Sequence, residues 1–132
     1  MKYFSFQEME HSDTAIRYAI DNTIPSNLKN NVASLIDYVL DPLREAWGRP
    51  LIVSSGYRCP ALNKAVGGSA TSHHMRGMAA DITTGNKADN RKLFQLILDL
   101  KLPFTQLIDE KGFSWVHVSY DPDNLKRQVL KL

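Results

Sequence analysis

Between Leu28 and Leu43 apolar side chains recur at three- and four-residue steps: Leu28, Val32, Leu35, Ile36, Val39, Leu40 and Leu43. That spacing gathers them on one face of a helix. Ser26 is placed to cap it. Pro42, which lacks an amide donor, should kink or restart it before Arg44-Glu45-Ala46-Trp47, and Gly48 supplies the stop. Upstream, residues 3–24 read as an arm with one or two short helices. Ser12-Asp13-Thr14 offers a cap ahead of Ala15, Ile16, Tyr18, Ala19 and Ile20, and Ile24-Pro25 closes the segment.

After Gly48 the period changes. Leu51-Ile52-Val53-Ser54 reads as a buried strand between Pro50 and Gly56. A turn at Arg58-Cys59-Pro60 leads into a short helix, Ala61 to Val66, and Gly67 to Ser72 form a loop. Ala79 to Thr83 is a second strand, with Asp81 at its head. A helix from about Lys87 to Leu100 is expected to bury Leu93, Leu96, Ile97 and Leu100. Further strands are expected at 105–108, 114–120 and 128–132, with Gly112 in a hairpin turn between the first two. Strand alternation puts Trp115, His117 and Ser119 on one face and turns Val116 and Val118 into the core. Helices first and hairpin-linked strands later predict an α+β fold, a small, mostly antiparallel sheet packed against helices.

A chain of 132 residues, 43% hydrophobic and 23% charged, fits one globular domain: an arm at 1–25 and a motif-bearing core at 50–120. A net charge of +2 with no aromatic-interleaved basic patch gives no support to nucleic-acid binding. Its mild positive bias suits anionic polymers such as bacterial wall material, and then only in on-rate. Cys59 is the single cysteine, which excludes a disulfide framework and reads as a small filler. No run approaches the ~20 apolar residues of a membrane span. Glu8, Glu10 and Asp13 interrupt the start, so no signal peptide is expected. The chain should be made in the cytoplasm, as a monomer, and reach any outer target by other means.

Two of the four histidines stand in informative contexts. Ser72-His73-His74-Met75-Arg76-Gly77-Met78-Ala79-Ala80-Asp81 is answered later by Trp115-Val116-His117-Val118. His74, Asp81 and His117 supply two imidazoles and a carboxylate, the three-ligand set that binds catalytic zinc and leaves a fourth position for water. One such histidine alone would be read as a buried ring satisfied by a carbonyl; the set is not. Gly77 and Ala79-Ala80 would let the backbone pass close behind an ion. His73 should point away from it, as adjacent residues of extended chain do.

Ser-x-His-x-x-Gly-x-Ala-x-Asp followed by Trp-x-His resembles the zinc D-Ala-D-Ala carboxypeptidases and related peptidoglycan endopeptidases. Their fold is shared with the vancomycin-resistance dipeptidases and the hedgehog signalling domain. The likeness extends upstream through Ser54-Ser55-Gly56-Tyr57-Arg58 and Leu62-Asn63, so it covers roughly residues 50–120. The chain looks like the short, phage- or prophage-associated branch. The resemblance implies one Zn2+ held by His74, Asp81 and His117, acting on peptidoglycan stem peptides at the bacterial cell wall, as a D,D-carboxypeptidase or an endopeptidase. It places Arg58 against the substrate carbonyl or terminal carboxylate and Ser72 near the bound substrate, with Tyr57, Trp115 and Tyr120 as candidate cleft aromatics.

In one respect the chain departs from the pattern. Many members carry an acid three residues before the last histidine, where this chain has Ser114, which cannot serve as a general base. Glu110, seven residues before His117, resembles the hedgehog-type placement and is the expected base, with Asp109 in reserve. Two other readings stay open: a catalytically inactive, zinc-stabilised wall-binding domain, and a phage structural domain.

Overall fold

The computed structural model covers Met1–Leu132. Helices α1 (Phe6–Glu10) and α2 (Asp13–Arg17) form the arm, each capped by a serine: Ser5 accepts from the Glu8 amide and Ser12 from that of Ala15. The arm is not appended to the core but part of it. Phe4, Met9 and Ile24 are buried in the same apolar cluster as the sheet.

The long amphipathic helix is three pieces. It opens as a 3₁₀ turn over Ser26–Leu28, continues as α3 (Lys29–Leu35), widens to a π turn over Ile36–Leu40, and ends as α4 (Asp41–Trp47). Ser26 does not cap it. Pro25, with φ preset near the required value, occupies the entry position and no side chain bonds there. The π turn is how the chain accommodates Pro42. A proline clashes with the carbonyl four residues back, here that of Tyr38, and the Asp41 amide bonds instead to Ile36. All seven residues of the predicted stripe except Leu28 are fully buried. Gly48 ends the helix in the left-handed conformation, φ 75°.

Five strands form one sheet in the order β1-β2-β4-β3-β5: β1 (Ile52–Ser55), β2 (Ala79–Thr83), β3 (Gln106–Glu110), β4 (Trp115–Ser119) and β5 (Gln128–Lys131). All pairings are antiparallel except β3 with β5. The α+β architecture read from the sequence is the one observed. One face of the sheet, carrying Ala80, Ile82, Leu107, Val116 and Val118, packs against the helices; beyond the short α5 (Pro60–Ala65), α6 (Lys87–Asp99) joins this core through Leu93 and Ile97. Each fully buried Val, Leu or Ile among them contributes about 1.5–3 kcal/mol.

Three expectations fail at the edges. β1 is an outer strand, so Ile52 is 57% exposed rather than buried. Leu96 is only half-buried and Leu100 is exposed, because α6 stops at Asp99 and the chain reverses through Lys101 at φ 54°. β3 runs two residues past its expected end, which places Glu110 inside a strand.

Candidate metal centre

The opposite face of the sheet carries the chemistry. Asp81 pairs with His117 across the two inner strands β2 and β4. Directly paired residues point to the same side, so their side chains meet. Asp81 sits mid-strand in β2, not at its head. His117 Nδ1 lies 2.9 Å from Asp81 Oδ1. Burial pushes the Asp81 carboxyl up, but the His117 hydrogen bond and the neighbouring His74 imidazole outweigh it and hold the group well below the usual carboxylate range.

His74 arrives from the side, on a single 3₁₀ turn, His73–Arg76. Ser72 Oγ accepts from the His74 amide, capping the turn, and Gly77 closes it in the left-handed conformation, φ 69°. Gly77 is thus required by that turn and by contact with Val32, not by passage behind an ion. The ring Nδ1 is 2.7 Å from the Gly56 carbonyl oxygen. A carbonyl only accepts, so Nδ1 carries a proton, and in the neutral ring Nε2 keeps its lone pair. That Nε2 is buried without a hydrogen-bond partner. It lies 3.3 Å from Asp81 Oδ1, outside hydrogen-bonding alignment.

A buried, basic, unsatisfied nitrogen is costly unless something electrophilic occupies its lone pair. The three ligand atoms lie within 4.8 Å of one another. Ligands ~2.0–2.1 Å from a tetrahedral zinc ion stand roughly 3.3 Å apart, and the Asp81 oxygen lies 2.9 Å from His117 Nδ1 and 3.3 Å from His74 Nε2. His74, Asp81 and His117 therefore fit a divalent metal, and the sequence-predicted trio is brought together.

Other residues buttress the trio. Arg58 donates from Nε to Ser55 Oγ (2.9 Å), from Nη1 to Asn63 Oδ1 (3.1 Å) and from Nη2 to Asp81 Oδ2 (3.4 Å). Its guanidinium is anchored on the carboxylate rather than held free in a cleft. Ser55 reaches Arg58 because β1 bulges between Val53 and Ser55, which sets Ser55 rather than Ser54 across from Asp81. Asn63, buried, also donates to the Ser69 carbonyl and so ties the loop preceding Ser72 to Arg58. Of these supports, Asn63 lies in the sequence motif; the bulge and the Gly56 carbonyl leave no mark in residue identity.

The sequence profile of the Peptidase M15 family matches residues 2–119. The chain belongs to this family. Its members are zinc metallopeptidases, which agrees with the donor set at the site. No match was found among curated proteins.

Beside the M15 trio opens a cleft of about 320 Å³, lined by Ser72, His73, Gln106, Ile108 and His117 among others. His73 is half-buried there, and burial lowers its pKa. It stands outside the trio at the start of a 3₁₀ turn, not in extended chain. Glu110, half-buried, lies on the same face as His117: Ile108 pairs with His117 and Glu110 with Trp115. Asp109 points to the other face, is buried, and accepts from the Phe113 amide at 2.6 Å, which makes it a turn-former out of reach of the trio. Ser114 likewise serves the hairpin, its hydroxyl donating to the Lys111 carbonyl.

The aromatics divide. Tyr57 and Tyr120 are buried in the core, Tyr120 stacked on Tyr38 at 5.6 Å, so neither is a free cleft wall. Trp115 is half-buried on the site face, with Lys111 Nζ 5.6 Å over its ring.

Proposed function

We propose that this M15 protein is a zinc-dependent peptidase that hydrolyses the stem peptides of peptidoglycan at the bacterial cell wall. The observation that carries the reading is the tautomer-locked His74 Nε2, buried and unbonded, facing the Asp81 carboxylate beside His117 at the edge of a polar cleft. His74, Asp81 and His117 would hold one zinc ion. When bound, such an ion supplies Lewis acidity that activates water and polarises a carbonyl.

The remaining work falls to side chains. Glu110 accepts the proton of the attacking water and returns it to the leaving amine. It is diagonal to His117 across the β3–β4 pair, a separation of about 7–8 Å that a long side chain and one water can bridge. Arg58 orients Asp81 through its contact with Oδ2. Two of its five N–H donors, one on each terminal nitrogen, are unused and remain for a substrate carbonyl or terminal carboxylate. Ser72 uses its oxygen to cap the His74 turn, which leaves its hydroxyl proton free to donate to substrate in the cleft.

The test uses purified zinc-loaded protein and isolated cell walls. Soluble D-Ala marks carboxypeptidase action, stem fragments mark endopeptidase action, and neither should appear with chelator. Glu110→Gln should keep its zinc and lose about 10²–10⁴ in rate. Full activity in that variant would remove Glu110 from the mechanism. Tight wall binding without cleavage by the zinc-loaded wild type would favour the inactive binding domain.

A further inference from the structure

The segment Gly56 to Cys59 carries two supports of the trio at once. The Gly56 carbonyl fixes the His74 ring, and the Arg58 guanidinium holds the Asp81 carboxylate. The Arg58 amide also donates to the His74 carbonyl at 3.1 Å. A displacement of this segment would therefore move two ligands together.

What fixes the segment from outside is the N-terminal arm. The Tyr57 amide donates to the Met9 carbonyl at 2.7 Å, and Gly56 packs so closely on Met9 that a Cβ there would collide with it. Asn22, in the loop after α2, completes the clamp. Its Oδ1 accepts from the Cys59 amide at 2.7 Å, and its Nδ2 donates to the Tyr57 carbonyl at 2.9 Å and to the Glu10 carbonyl at 2.8 Å. One side-chain amide thus grips the backbone on both sides of Arg58 and ties it to the end of α1. Asn22 is itself buried and belongs to none of the motifs that carry the metal reading. The Ile24 amide donates to Glu10 Oε2 at 2.7 Å, closing the same loop back on α1.

We infer that Asn22 is a positioning residue for the metal centre: through Tyr57 and Cys59 it sets where Gly56 meets His74 and where Arg58 meets Asp81. The inference rests on the reading that His74, Asp81 and His117 hold the metal. It makes the first twenty-five residues an outer brace of the site rather than an accessory arm.

The probe is zinc alone. Its affinity for the full-length protein is measured by competition with a chromophoric chelator, well below the melting temperature. The visible spectrum of the cobalt-substituted protein reports ligand geometry. Asn22→Ala should weaken zinc by roughly tenfold or more, as loss of outer support typically does, and should alter the cobalt bands. A merely structural asparagine would lower the melting temperature and leave both unchanged. If Asn22→Ala does not fold, Asn22→Asp carries the measurement. It keeps the acceptor for Cys59 and loses both donors, and the same weakening is expected. A folded variant that binds zinc like the wild type overturns the inference. Failure of the wild type to bind zinc would instead sink the metal reading beneath it.

Discussion

The site has two halves built in different ways. Asp81 and His117 stand on adjacent inner strands, and a continuous backbone ladder sets their register. The residues between and behind them, Ala80, Ile82, Val116 and Val118, are fully buried. Slipping that register by one residue would turn the whole apolar set outward, so the geometry of this half is as secure as the fold. His74 stands on one 3₁₀ turn and depends on separate bonds to Ser72, Gly56 and Arg58. Elements held by a few local bonds open at lower cost than core strands. The sheet half should therefore fail only with global unfolding, whereas the turn half should fail locally.

The most severe way to break this contrast is at the residue both halves share. Asp81→Asn keeps the shape but removes the anion on which His117, His74 and Arg58 converge. Zinc affinity should fall by more than the roughly 10–100-fold typical of losing an outer support, with the metal absent after dialysis. Near-wild-type affinity by chelator competition would show that the trio is not the ligand set.

Ile82→Ala, next to Asp81 in sequence but on the opposite face, sharpens the contrast from the sheet side. The cavity left in the core should cost about 2–5 kcal/mol, read from the urea midpoint. Zinc affinity of the folded fraction should change little, because the ladder that aligns Asp81 with His117 stays intact. A large loss of affinity in protein that is still folded would mean that packing behind the sheet, and not its register, sets the ligand geometry.

The same division explains what could be read from the chain alone. The sheet half was legible because period-two alternation is a strong signal: with Val116 and Val118 inside, His117 had to face the other way. The trio was legible because its residue types and spacing are rare together. Features that rest on tertiary neighbours were not. Ile52 looks like core until β1 proves to be an edge. Tyr57 and Tyr120 look like cleft walls until they prove to be buried in the core. The β1 bulge, the Gly56 carbonyl and the grip of Asn22 involve backbone groups, which every residue carries, so their identity says nothing about their use. Pro42 signalled a break in the helix, but where the break is absorbed, one turn earlier as a π turn, depends on the carbonyl it would strike.

The smallest expected effect is the most discriminating. Ser72→Ala removes the oxygen that accepts from the His74 amide and so uncaps the 3₁₀ turn. Loss of such a cap costs about 1 kcal/mol. If the turn opens independently of the sheet and is largely open in the metal-free protein in solution, that cost appears almost wholly in the metal equilibrium, because the ion binds only the closed turn. Zinc affinity should then fall by about fivefold, while the urea midpoint of the metal-free protein barely moves and the His74 amide exchanges faster with solvent. If the turn is instead welded to the fold, the cost appears in the urea midpoint and zinc affinity is unchanged. That second outcome would erase the difference between the two halves and make His74 as much a part of the global structure as His117.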